Sequence, residues 1–196
     1  MDIKALFDSE RISIHQERKE NIELILIDLP EKRLQLLMTN GLSDHNMPVH
    51  EKYKGRENTE LFFCLPSYWE VNSEDERYTW PAEWLNKLAA HVIEKNAWFG
   101  PGHSVDCLFQ AEGLSPSMKQ DHLLMSDPIL VKDELAPITE KSGIHFLAVF
   151  PIFGDEMDYK QAKGTYKLMK KLKNKGHTEK LDDFRVTVLK SRFNLF

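Results

Sequence analysis

The stretch Ile144–Phe150 constrains this chain most. Every residue in it except His145 is apolar, and several are aromatic or β-branched. A run of that length and makeup reads as a strand covered on both faces. Pro151 has no N–H to give to a ladder, so regular pairing is expected to stop there. Gly154 then loosens the backbone. Asp155 and Glu156 follow, two acids suited to the positive end of a helix. The helix predicted next carries seven lysines between Lys160 and Lys175, and Gly176 is placed to close it. The rest of the chain is expected to pack around this strand–turn–helix.

Upstream, residues 1–20 are charged and weakly patterned, and fit either a short helix over 2–8 or a loose arm. Apolar residues from Ile22 to Leu29 cover both faces of a strand. Pro30-Glu-Lys makes a polar turn, and Leu34, Leu36 and Met38 alternate in a second strand, which predicts an antiparallel hairpin. Asn40-Gly41 is a turn signal, and Leu42–Asn58 reads as a surface loop. Glu60–Leu65 has no polar face, so it is expected to be a central strand ended by Pro66. Trp84, Leu85, Leu88, Ala89, Val92 and Ile93 form one helical stripe. Pro81 is placed in the first turn of that helix, and Asn96 ends it.

Val105–Phe109 reads as a short strand. One or both of Leu123–Met125 and Ile129–Val131 are strands, and Lys132–Ser142 is a polar connection. Phe184–Leu189 alternates and gives a last strand, an open edge with Arg185 and Thr187 on its exposed face. The order is not a regular βα alternation. It predicts a single α+β domain over 1–196, a mostly antiparallel mixed sheet with two main helices.

With 196 residues the chain can bury a core without disulfide or metal staples. The net charge of −5 argues against general binding to nucleic acid or an anionic membrane, and the lysines of 160–175 read as a solvated helix face. Cys64 and Cys107 lie in apolar surroundings, as buried thiols of a reducing compartment do. No secretory signal is visible at the N-terminus and no apolar stretch reaches the ~18 residues of a membrane span; a cytoplasmic location is expected.

Several residues were weighed for chemistry. Asp44, His45 and His50 carry imidazole and carboxylate groups that suit zinc or iron, but their spacing matches no ligand geometry, and a solvated loop explains them. Cys64 beside His103 or His145 would make a nucleophile–base pair, but an apolar strand raises a thiol's pKa. His103, in the corner Gly100-Pro-Gly-His, is the better candidate for a ligand contact. Asp155, Glu156 and Asp158 suit a cation or an acid–base pair, but their place at a helix start explains them without either. Neither a catalytic set, a cofactor site nor a metal site is expected. Trp69 and Trp80 flank an acidic loop; core packing is the default for them, and if partly exposed they would serve as interface anchors. The predicted partner-binding residues are Trp69, Glu70, Trp80, His103, Asp155 and Glu156.

Taken in order, Thr39-Asn-Gly-Leu-Ser-Asp with Met47-Pro48, Glu60-Leu-Phe-Phe-Cys-Leu-Pro with Trp69, Trp80-Pro-Ala-Glu-Trp-Leu, Gly100-Pro-Gly-His and Phe150-Pro-Ile-Phe-Gly-Asp-Glu-Met-Asp-Tyr-Lys resemble the suppressor-of-fused domain family from about residue 20 to residue 190. The resemblance implies a binding protein, not a catalyst. The animal member grips an extended peptide of a transcription factor. Compact bacterial members, which this chain looks like, are implied to be immunity proteins against polymorphic toxins. The expected partner is therefore a protein, a toxin domain, with a peptide-binding scaffold as the alternative.

Overall fold

The computed structural model describes residues 2–19, 22–107 and 114–189. Seven strands lie in one sheet: β1 (Ile12–Lys19), β2 (Ile22–Leu29), β3 (Leu34–Asn40), β4 (Thr59–Pro66), β5 (Ser104–Asp106), β6 (His122–Ser126) and β7 (His145–Ile152). The helices are α1 (Glu76–Lys95), α2 (Lys132–Ser142), α3 (Gly154–Lys163) and α4 (Thr165–Asn174). The sheet order is β1-β2-β3-β4-β7-β6-β5. It consists of two antiparallel meanders, β1 to β4 and β5 to β7, joined where β4 runs parallel to β7. A parallel join requires a crossover, and the chain supplies it with α1, β5, β6 and α2. The α+β architecture expected from the sequence is present.

Side chains alternate across the sheet with period two. Leu61, Phe63 and Leu65 of β4, with Leu147 and Val149 of β7, share a core with Trp80, Trp84, Leu85, Leu88 and Val92 of α1. Phe62, Cys64, Phe146 and Ala148 point the other way and pack with Leu135 and Ile138 of α2. Leu124, Phe150 and Ile152 meet Leu168 and Leu172 of α4. The sheet is thus covered on both faces, which is why β4 and β7 have no polar side.

The structure corrects several expectations. A short 3-10 helix, Ile3–Leu6, does lie within 2–8, but residues 12–19 form an edge strand where no strand was expected, because pairing with the strongly apolar β2 overrides the weak local pattern. α1 starts at Glu76, capped by Asp75, whose carboxylate accepts from the Arg77 N–H at 2.9 Å, so Pro81 lies inside the helix. Lys132–Ser142 is a helix, not a connection, and Ile129–Val131 leads into it. The lysine-rich segment is two helices, broken at Gly164 with φ 89°.

Pairing runs through Pro151, which sits opposite Leu123. Its carbonyl faces away from β6 and accepts from Arg185 at 2.8 Å. In a strand the N–H and C=O of one residue leave on the same side, so no ladder bond is lost. Residues 184–189 form no strand, and Arg185 and Thr187 are buried, not exposed. The part of the predicted strand 105–109 beyond Cys107 lies outside the described residues.

Candidate functional site

Three places gather the residues singled out in the sequence. The first is the turn after β3. Glu60, at the head of β4, is fully buried. Its carboxylate accepts from Thr39 Oγ1 at 2.5 Å and from the backbone N–H groups of Gly41, Leu42 and Ser43 at 3.0, 3.3 and 2.8 Å. Gly41 takes φ 112°, a conformation that favours glycine. Thr39-Asn-Gly-Leu-Ser is therefore a cradle for one acid. Burial pushes the Glu60 carboxyl up to about 7, against the lowering effect of Thr39, Ser43 and Gly41. In the loop beyond, Asp44 and His50 are exposed and His45 is half-buried. Among the described residues no group of three or more His, Cys, Asp or Glu is placed to hold a metal ion.

The second place is the tryptophan cluster. Trp69 and Trp80 do meet, with ring centroids 6.1 Å apart at 84°. They are only 4% and 2% exposed, so core packing holds and neither is a partly exposed anchor. Trp80 stacks edge-on to Phe63 at 5.2 Å, and Trp69 Nε1 donates to the Tyr78 carbonyl at 3.1 Å. Both belong to the α1-side core, while Glu70 beside them is exposed.

The third place runs along α3. At its far end, Lys160 Nζ donates to Ser104 Oγ at 2.9 Å, next to the Gly100–His103 corner. There the half-buried His103 ring lies 4.2 Å from Trp98, and burial lowers its pKa. Gly102 has φ 91°, a conformation that favours glycine, and a Cβ on it would press on the Thr165 side chain at the start of α4, 3.0 Å from Oγ1.

At its near end, Glu156 Oε2 accepts from the Phe153 N–H at 3.1 Å, the reach-back half of a capping box. Glu156 also takes a bidentate pair of 2.8 Å bonds from Arg185, with both side chains buried. The exposed Asp155 accepts from Thr187 Oγ1 at 2.8 Å. Asp155 and Glu156 thus share one cluster, apart from the tryptophans, and His103 reaches it only by way of α3.

A third buried acid, Glu179, accepts at Oε1 from the N–H groups of Ile129, Leu130 and Val131, ahead of α2. Sequence reasoning placed Arg185 and Thr187 on an exposed edge instead of in the α3 cluster, and missed Glu179. It also missed the role of Glu60, although a lone acid heading an apolar strand was a signal. The thiols are inert as nucleophiles: burial raises Cys107 to about 12 and Cys64 further still. No helix among the described residues is long and apolar enough to cross a membrane.

A family model of the Suppressor of fused protein matches residues 18–185. The chain belongs to the SUFU family. Among curated proteins no sequence matches it. Solved structures share its fold. A SUFU homologue from Neisseria gonorrhoeae superposes with a TM-score of 0.61 at 15% identity, covering 92% of this chain and 87% of that one. A chain of a Sufu–Fu complex gives 0.56 at 15% identity, covering 86% of this chain and 78% of that one. Drosophila Suppressor of Fused gives 0.55 at 15% identity, over 86% of this chain but only 43% of that one. The cradle around Glu60 and the start of α3 lie inside the matched segment, so several of the stretches that carried the resemblance help to hold the fold together.

Proposed function

We propose that this SUFU-family chain is a non-catalytic protein-binding domain and, more narrowly, an immunity protein that neutralises a toxin domain in the bacterial cytoplasm. The observation that carries the binding reading is that a domain of this fold was crystallised in a Sufu–Fu complex. The buried, proton-bound thiols and the commitment of Glu60, Glu156 and Glu179 to backbone and guanidinium donors support a structural use of these groups. The net charge of −5 suits a basic partner, whose encounter it would accelerate. Glu70, Asp155 and His103 remain the candidate contacts at the surface; Trp69 and Trp80 would act by shaping the core beneath it.

Co-expression with the product of the adjacent gene tests the narrower reading. Restored growth and a co-purifying complex support it. Undiminished toxicity, or a neighbour with no toxicity, overturns it. The second reading, capture of an extended peptide by strand addition, has β1 as an open sheet edge, with Ile14 54% exposed. The register shifts along β1 work against it, because bulges blunt an edge.

A further inference from the structure

At the start of α3 the chain binds part of itself. Exposure alternates along the segment: Phe184 is 82% exposed, Arg185 6%, Val186 67% and Thr187 6%. Among the described residues, 184–188 add no strand to the sheet, and what fastens them is chiefly side-chain chemistry. The Arg185 guanidinium lies over the rings of Phe153 and Phe150, 4.7 and 5.5 Å from their centroids. Its Nη1 and Nη2 donate to Glu156 Oε1 and Oε2, and Nη2 also donates to the Pro151 carbonyl, all at 2.8 Å. Thr187 reaches Asp155, and the Val188 N–H donates to Glu156 Oε1 at 2.9 Å.

The groups that hold Arg185 and Thr187 in this socket, the rings of Phe150 and Phe153, the Pro151 carbonyl and the Asp155 and Glu156 carboxylates, all come from residues 150–156. A site that offers two aromatic faces and a buried carboxylate is selective. A guanidinium fits by stacking and by two parallel hydrogen bonds, whereas an ammonium makes neither arrangement. A helix start alone would favour an anion; here the carboxylate of Glu156 inverts that preference to a cation. The outward residues Phe184 and Val186 contribute nothing to the core, as expected of a segment that is docked and not folded in.

We propose that the start of α3 is a recognition site for an extended Arg-x-Thr segment. The chain's own Arg185 and Thr187 keep it filled, and an arginine-bearing segment of a partner protein takes the site by displacing them. The proposal deepens the protein-binding reading and rests on it for its biological use, but the site can be measured with no partner present. A tethered occupant acts at an effective concentration on the order of millimolar, so it guards the buried carboxylate while remaining open to competition.

The probe is the peptide acetyl-Phe-Arg-Val-Thr-Val-Leu-amide, a copy of residues 184–189, titrated into the full chain by calorimetry. Arg185→Ala is expected to bind it at least tenfold more tightly than the wild type does, and a peptide with citrulline for arginine is expected to lose that gain. Equal affinity of variant and wild type, or equal binding of the citrulline peptide, overturns the proposal. Should Arg185→Ala fail to fold, wild-type protein with 4-fluorophenylalanine in place of Phe184 decides. A fluorine resonance moved by millimolar arginine peptide and not by the citrulline peptide supports displacement; one unmoved by both overturns it. Failure of toxin neutralisation would leave these titrations unaffected, so the two ideas fail separately.

Discussion

Glu60 and Glu156 are both 0% exposed, yet they are accommodated by opposite devices. Glu60 rests in a local cradle of a hydroxyl and three backbone N–H groups, and among the described residues it makes no ion pair. Glu156 is answered by a full positive charge carried in from 29 residues downstream. Dipoles from a tight turn cannot be withdrawn without unfolding that turn. A guanidinium on a segment outside the sheet can be. The first device fixes the fold locally; the second makes a distant stretch of chain a condition of stability at α3.

The largest expected effect separates the two. Arg185→Ala leaves the Glu156 carboxylate buried without its cation and is expected to cost about 3–5 kcal/mol in urea unfolding. A loss under 1 kcal/mol would mean that water reaches the socket and the contrast is empty.

Next comes the pH dependence of Glu60. Its carboxyl is held near 7 in the folded state against an ordinary 4.5, so the folded state binds the proton more tightly. Its contribution is therefore fully present below pH 4.5 and lost as pH rises through 7. Measured as wild type minus Glu60→Gln, the stability difference should shrink by roughly 2–3 kcal/mol between pH 4.5 and 8. A flat difference would show that the cradle stabilises the ionised form as well as a cation does.

Replacing both partners, as Glu156→Gln with Arg185→Met, should cost only about 1–2 kcal/mol, because no unpaired charge is left behind. A double variant as unstable as Arg185→Ala alone would assign the loss to packing between Phe150 and Phe153. The smallest effect is that of Thr187→Val, about 1 kcal/mol for the hydrogen bond to Asp155, read from the same unfolding curves.

The sequence made the sheet readable where both faces are apolar. β2, β4 and β7 announce themselves because the two-sided core demands unbroken hydrophobic runs, whereas β3 is legible from its alternation and β6 only as one of two apolar pieces. The capping role of Asn96 was equally legible, since its αL conformation, with φ 47°, suits asparagine. β1 was not legible, because an edge strand takes its order from its neighbour and not from its own pattern. α2 was missed because its apolar contact with the sheet is narrow, with only Leu135 and Ile138 buried. At the candidate site, the sequence placed Asp155 and Glu156 at a helix start correctly. It could not show Arg185 facing inward, since alternation in 184–188 has the same period whichever side is buried. The tryptophans misled because a charged flanking loop says nothing about which way an indole turns.

The single parallel seam between β4 and β7 has a kinetic consequence. β2 and β3 are joined by a short turn over 30–33, and the other antiparallel pairs by connections of up to 18 residues, whereas the seam pairs Thr59 with His145. Contacts so far apart along the chain form slowly, since the intervening loop must first lose its freedom. Refolding should therefore assemble two half-sheets before zipping them together. Pulse-labelled amide exchange would then find protection in β2 and β3 ahead of the bonds that cross from β4 to β7, and simultaneous protection would refute that order.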